Sequence, residues 1–275
     1  MLITQGDLSN RDRYTYLSET LQRLAKYGVV PVINENDVVT GSSQLDPSTA
    51  GQVFADNDTL AALIGASSEA DAVLMMTDVD AVFTKPPGTP GAERISVYRT
   101  DTSFEEGAKS SMGRGGMGSK IGAAMKAAES GSNCIVANGI NLSNITKVFD
   151  GEDIGTLFPA QPRRDKKSFW LSHMAIPVGT LRVKHGAVMS LKSGEQTHID
   201  ISSIAESEGD FNCNTVVALR DSETHKCVGR AITQQGSDEI RACLRIAGKG
   251  DKVTFGTSQT IAKNDDLVMH LVDRV

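Results

Sequence analysis

Apolar positions in the first 160 residues alternate between two periods. Tyr14, Leu17, Leu21 and Leu24 recur at helical spacing, and Gly28 follows as a stop signal. The run Val29-Val30-Pro31-Val32-Ile33 then predicts a short strand, with Pro31 placed where no ladder N–H is needed. Asp58-Thr59-Leu60-Ala61-Ala62-Leu63-Ile64 reads as a helix with an aspartate cap. Ala72 to Met76 reads as a buried strand, Gly118 to Ser130 as a small-residue helix ended by Gly131, and Cys134 to Ala137 as another buried strand. Strands apolar throughout, alternating with helices, predict an α/β fold with a mainly parallel sheet.

The pattern changes beyond residue 160. Short apolar runs at Gly179–Val183, Asn214–Leu219 and Leu267–Val272 are separated by polar turns. One helix, from Ser237 to about Gly248, interrupts them. This predicts a small β-barrel-like domain with one helix. The expected organisation is a first domain over 1–160, a linker over 161–174 opening with Gln161-Pro162, and a second domain over 175–275.

Charge sharpens this division. Residues 1–160 hold 12 Lys+Arg and 20 Asp+Glu, a net of −8, whereas 161–275 hold 16 and 14, a net of +2. All five histidines lie in the second part. The mild overall acidity, −6, argues against whole-surface nucleic-acid binding. No apolar run approaches a membrane span, and the first residues lack the basic and apolar regions of a secretory signal. Four cysteines form no CxxC pair, which disfavours a disulfide scaffold or a zinc ribbon and fits a reducing, cytoplasmic setting.

In open α/β sheets, ligands bind beyond the carboxyl ends of strands. Three predicted strands run into polar clusters there: Asn34-Glu35-Asn36-Asp37, Thr77-Asp78-Val79-Asp80 and Asn138-Gly139. A fourth cluster, Asp56-Asn57-Asp58, precedes a helix. Each could be turn formers and caps; all on one sheet edge, they suggest a site. Gly113-Arg114-Gly115-Gly116-Met117-Gly118-Ser119-Lys120 opens the small-residue helix. It is not a Walker A loop, because lysine follows serine, but its backbone N–H groups favour an anion. Lys120 in the first turn opposes the helix dipole, and a nearby anion would account for it. The first part has no histidine and one cysteine, Cys134. Nucleophilic triads and zinc are therefore disfavoured there, and Mg²⁺-nucleotide phosphoryl transfer suits what remains.

In order and spacing, Val32-Ile33-Asn34-Glu35-Asn36-Asp37, Asp56-Asn57-Asp58, Thr77-Asp78 and Gly115 to Lys120 resemble the glutamate 5-kinase family of the amino-acid kinase superfamily. Gly179–Gly186, Ser237-Asp238 with Arg245–Gly248, and Asn264–Val268 resemble that family's C-terminal PUA domain. The resemblance implies ATP-dependent phosphorylation of the L-glutamate γ-carboxylate, the first step of proline biosynthesis, with ATP and Mg²⁺ as cofactors. Asp37 and Asn57 would hold glutamate, with Asn34, Asp56 and Asp58 lining or organising the pocket. Thr77 and Asp78 would contact the nucleotide. Arg114, Gly115, Gly116, Met117, Gly118, Ser119 and Lys120 would close over the phosphates. Lys120 and Asp58 are the expected catalytic pair. Proline is the implied feedback inhibitor, and a homo-oligomer the implied assembly. The family's first strand, with its Lys-Leu-Gly motif, and its Ser-Gly-Ala loop have no counterpart here. About a hundred residues of the family pattern are thus absent, so unpaired strand edges and uncovered apolar faces are expected. Alternatives are another carboxylate kinase of the superfamily, or a catalytically incomplete fragment that binds a partner or RNA.

Overall fold

The computed structural model describes residues 1–40, 53–54, 56–99, 102, 116–247 and 260–270. These residues form two compact units whose main division falls between Arg164 and Asp165. No helix among them is long and apolar enough to cross a membrane.

The first unit begins with β1 (Leu2–Ile3), α1 (Gln5–Ser9), α2 (Arg11–Lys26), β2 (Asn34–Glu35) and α3 (Asp37–Thr40). It continues through α4 (Asn57–Ser67), β3 (Ala72–Thr77), α5 (Met117–Glu129), β4 (Asn133–Asn138), α6 (Ser143–Phe149) and β5 (Thr156–Phe158). The α2 periodicity behaves as expected. Tyr14, Leu17 and Leu21 are buried, and Gly28 leaves the helix with a φ of +68°. Strands β3 and β4 pair in parallel from Ala72↔Asn133 to Thr77↔Asn138, and β5 adds antiparallel to β4. Val73 and Met75 of β3 and Cys134 and Val136 of β4 are buried with α4 and α5. The alternate positions Leu74, Met76 and Ile135 are only half-buried. Both helices therefore lie on the face that carries the buried set.

The run Val29–Ile33 departs from expectation. The strand there is β2, displaced to Asn34–Glu35 and paired in parallel with β1 in its own two-stranded sheet. Its cluster therefore does not share a sheet with those after β3 and β4. Val30 and Val32 are 85% and 83% exposed, and Val38 is 92% exposed. A run apolar on both sides is the pattern of a strand buried on both faces. Here β1 is its one hydrogen-bonded neighbour among the described residues, so the uncovered apolar surface expected above is present.

The second unit comprises α7 (Lys166–His173), β6 (Gly179–Val183), α8 (His185–Ser193), β7 (Ile199–Asp200), β8 (Ile204–Glu208), β9 (Val216–Asp221), β10 (Cys227–Ile232), α9 (Ser237–Ala247), β11 (Thr260–Ala262) and β12 (Leu267–Met269). Five strands form one sheet in the order β12-β10-β9-β6-β8, and β11 pairs with β7 separately. Among the described residues this is an open sheet with a ribbon rather than a closed barrel. Leu181, Val217, Leu219 and Ile240 are fully buried at its centre. The stretch expected as a linker carries α7, whose Phe169 and Trp170 are buried. Arg230 of β10 donates to the carbonyls of Leu171 (3.1 Å) and Ala175 (2.8 Å), satisfying acceptors at the end of α7.

At the start of α8, His185 Nδ1 lies 2.7 Å from Asp221 Oδ2. Asp221 is buried. Burial pushes its carboxyl up, but N–H bonds from Thr224 and Glu223 and the bond to His185 outweigh this and hold it below the usual carboxylate value. The hydrogen bond to Asp221 and that group's charge hold the His185 imidazole above its ordinary 6.5, with Glu223 adding to the rise and Lys192 opposing it. The folded state thus favours protonated His185. The imidazole's contribution is complete below its unfolded value for as long as Asp221 stays ionised, and is lost as pH rises through the raised folded value.

Ala124 is fully buried in the core that α5 shares with α4 and the sheet, so Ala124→Leu should cost about 1–3 kcal/mol in urea unfolding. Gly122 lies in the same helix, and a Cβ there would meet nothing within 4 Å. Gly122→Ala should be neutral or stabilise by up to about 1 kcal/mol. For the second unit, His185→Gln should lower the melting temperature more at about pH 5.5 than at about pH 8.5. Equal losses at both values would show that the imidazole charge contributes nothing.

Candidate active site

Helices α4 and α5 pack closely, and small residues dominate their buried positions: Ala62, Ala123, Ala124, Ala127 and Ala128 all belong to the core. At Gly65 of α4 a Cβ would stand 2.5 Å from Val73 Cγ2, so only glycine lets this helix sit so near β3. The packing of α4 on α5 brings side chains of the two first turns together. Lys120 Nζ donates to both Asp58 oxygens, at 2.8 Å each.

The local sequence explains why these two side chains are available. The α4 cap is Asp56, two residues before the expected position. Its backbone is extended (φ −150°, ψ 165°) and its Oδ1 accepts the Thr59 N–H at 2.7 Å. Asp58 is therefore not spent as a cap, and its charge complements the helix start. At α5 the cap position is Gly116, with no side-chain cap bond, and a Cβ there would meet nothing within 4 Å. Ser119 Oγ donates to the Gly116 carbonyl at 2.8 Å. Met117 is half-buried against the core, and Gly118 and Ser119 complete the first turn before Lys120. A lysine beside a helix N-terminus is unfavourable alone, and Asp58 offsets that. The side chains of Lys120 and Asp58 are 21% and 24% exposed, so solvent reaches the pair.

The other expected residues are placed as follows. Thr77 ends β3, and its Oγ1 donates to Asp78 Oδ1 at 3.1 Å. Asn34 lies on β2, which packs against α4, and Asp37 opens α3; both are exposed. Asn57 is the exposed first residue of α4. Arg114 and Gly115 lie outside the described residues. Thus Lys120 and Asp58 are in contact, Thr77 and Asp78 are in contact, and Asp56 is occupied as a cap.

Sequence reasoning gave no role to Asp80. Its Oδ1 accepts from Asn138 Nδ2 at 2.8 Å, across the carboxyl ends of β3 and β4. The two residues are 58 apart in sequence, so only the strand pairing reveals the contact. Cys134 is buried on β4, and burial, aided by the Asp58 charge, pushes its thiol up to about 12. It is not a nucleophile at neutral pH. No group of three His, Cys, Asp or Glu among the described residues could hold a metal ion.

The amino acid kinase family model matches residues 1–138. Glutamate 5-kinase from Acaryochloris marina (strain MBIC 11017) is 32% identical over 282 residues, covering 98% of this chain and 73% of that protein. The Myxococcus xanthus (strain DK1622) glutamate 5-kinase is 35% identical over 254 residues, covering 90% of this chain and 64% of that protein. The chain is therefore shorter than both relatives. Among solved structures, a PUA domain from Aeropyrum pernix K1 in complex with tartrate covers 39% of this chain and 49% of that one at 23% identity. Its TM-score of 0.27 is too low to establish a shared fold. With the family model over half its length and a relative matched along nearly all of it, the chain belongs to the glutamate 5-kinase family of amino acid kinases.

Proposed function

We propose that the chain transfers the γ-phosphoryl group of ATP to the γ-carboxylate of L-glutamate. The observation that carries this reading is the Lys120–Asp58 contact at the adjoining N-terminal turns of α4 and α5. The reaction forms a bond from a carboxylate oxygen to phosphorus and breaks the bond from phosphorus to the ADP oxygen. Its products are γ-glutamyl phosphate and ADP. The acceptor is ionised at neutral pH and needs no general base. What the protein must supply is positioning and positive charge for a phosphoryl group whose negative charge is spread over its oxygens.

The chain's residues suit that task. Lys120 carries three N–H donors, of which two are directed to Asp58, and the third can turn to a phosphate oxygen. Asp58 thereby fixes the ammonium in place. The uncapped first turn of α5 offers backbone N–H groups to the same anion. On this reading Thr77 and Asp78 contact the nucleotide, Arg114 and Gly115 join Gly116–Lys120 over the phosphates, and Asp37 receives the substrate ammonium beside Asn57 and Asn34. Mg²⁺ fits as an ion carried in with the nucleotide, held by phosphate oxygens and water rather than by a protein cage. It supplies charge neutralisation on the phosphates. Proline, which repeats the α-carboxylate and ammonium of glutamate, inhibits at or beside the same pocket, and the working form is a homo-oligomer. The second unit is read as the family's PUA-like domain.

The test is glutamate-dependent ADP release from Mg-ATP by the full chain. Lys120→Ala should lower kcat by about 10²–10³-fold, the effect of removing one preorganised donor. Asp58→Asn, which releases the lysine, should also lower kcat. ADP release indifferent to glutamate, or unchanged in Lys120→Ala, would overturn the reading.

A further inference from the structure

The turn that follows β3 is fastened at both ends. At its start, the Gly139 N–H donates to the Thr77 carbonyl at 2.7 Å. At its finish, the Val82 N–H donates to Thr156 Oγ1 at 2.9 Å, and that hydroxyl donates to the Ile95 carbonyl at 2.6 Å. Ala81 and Val82 are fully buried. Between these anchors, Asp78 and Asp80 stand in solvent. Asn138 supplies the contact that holds the middle of the turn.

Asn138 is the last residue of β4, opposite Thr77 in the parallel register. Its Oδ1 accepts the Ile140 N–H at 2.8 Å, which fixes the amide's orientation and leaves Nδ2 facing Asp80. Its backbone carbonyl accepts from Asn144 Nδ2 of α6 at 3.0 Å. The neighbouring Gly139 has no room for a side chain, since a Cβ would stand 2.8 Å from Met76 Cβ. One residue thus ties together the end of β3, the turn after it, and the start of α6.

We propose that Asn138 is a positioning residue for the nucleotide. By holding Asp80 it fixes the turn that presents Thr77 and Asp78. This rests on the nucleotide reading of those two residues given above. In this role Asn138 acts through Asp80 and the turn, not by contact with a substrate. Its donor meets a carboxylate, and a charge-assisted hydrogen bond is stronger than a neutral one.

The experiment measures Mg-ADP binding to the full chain by calorimetry, together with KM for ATP and for glutamate. Asn138→Ala should weaken Mg-ADP binding and raise KM for ATP by about three- to tenfold. KM for glutamate and the melting temperature should stay unchanged. Asn138→Asp should be worse than Asn138→Ala, because it sets two carboxylates within hydrogen-bond reach. Adding Asp80→Asn to Asn138→Asp exchanges donor and acceptor and should recover most of the affinity, a coupling that general disruption would not produce. Unchanged Mg-ADP affinity in Asn138→Ala overturns the inference. So does a loss that the exchange fails to recover. Should Asn138→Ala not fold, the comparison of Asn138→Asp with the exchanged pair decides alone. If the unaltered chain binds no Mg-ADP, the nucleotide reading fails first, an outcome distinct from the other two.

Discussion

Two helices can share one ion pair at their first turns only if their bodies approach closely. In the first unit that approach is set by alanines on α5, by Ala62, and by Gly65, whose missing Cβ lets α4 settle against Val73. A larger side chain among the alanines would separate the helix axes and draw Lys120 away from Asp58, and one at Gly65 would push α4 off Val73. The bidentate contact is thus a consequence of core packing rather than a surface accident. An exposed ion pair would contribute only about 0–1 kcal/mol of stability. The value of this one is positional, because it orients an ammonium at the mouth of two helix starts.

The loop chemistry depends on the same frame. Parallel pairing of β3 with β4 sets Thr77 opposite Asn138, so the polar residues after both strands emerge side by side. The buried hydroxyl of Thr156 on β5 then fastens the far end of the β3 turn. Each polar contact at this sheet end is therefore held by a strand or helix that has its own apolar reason to be there. Sites supported in this way keep their geometry without relying on loop sequence alone.

Much of this was legible in the chain itself. The helical spacing of Tyr14 to Leu21, the buried strands around Val73 and Val136, and the small-residue helix bearing Lys120 follow from period and composition. The lysine's conflict with its helix dipole pointed to an anion, and Asp58 is one. Other features were hidden because they depend on partners distant in sequence. Nothing local separates Asp56 from Asp58 as the cap; the extended backbone at Asp56 decides it. Val29–Ile33 has the composition of a central strand, but a strand needs neighbours, and β1 pairs with Asn34–Glu35 instead. The parallel β6–β9 pairing inside the second unit's sheet was invisible for the same reason. So was the Asn138–Asp80 bond.

The residues that are missing from the first unit constrain its chemistry as firmly as those present. It has no histidine, and its one cysteine carries a thiol held near 12. A reaction that required a neutral base near pH 7, or a thiolate, would find no such group there. A carboxylate acceptor removes the requirement, since the nucleophile arrives ionised. The remaining barrier is electrostatic: a negative oxygen must approach a negative phosphoryl group. An ammonium held by a carboxylate, beside uncapped helix N–H groups, answers that barrier without any proton leaving the protein. On the proposed reading Lys120 and Asp58 supply charge and positioning of the kind this task needs, and a hydroxyl or amine acceptor would have demanded a base as well.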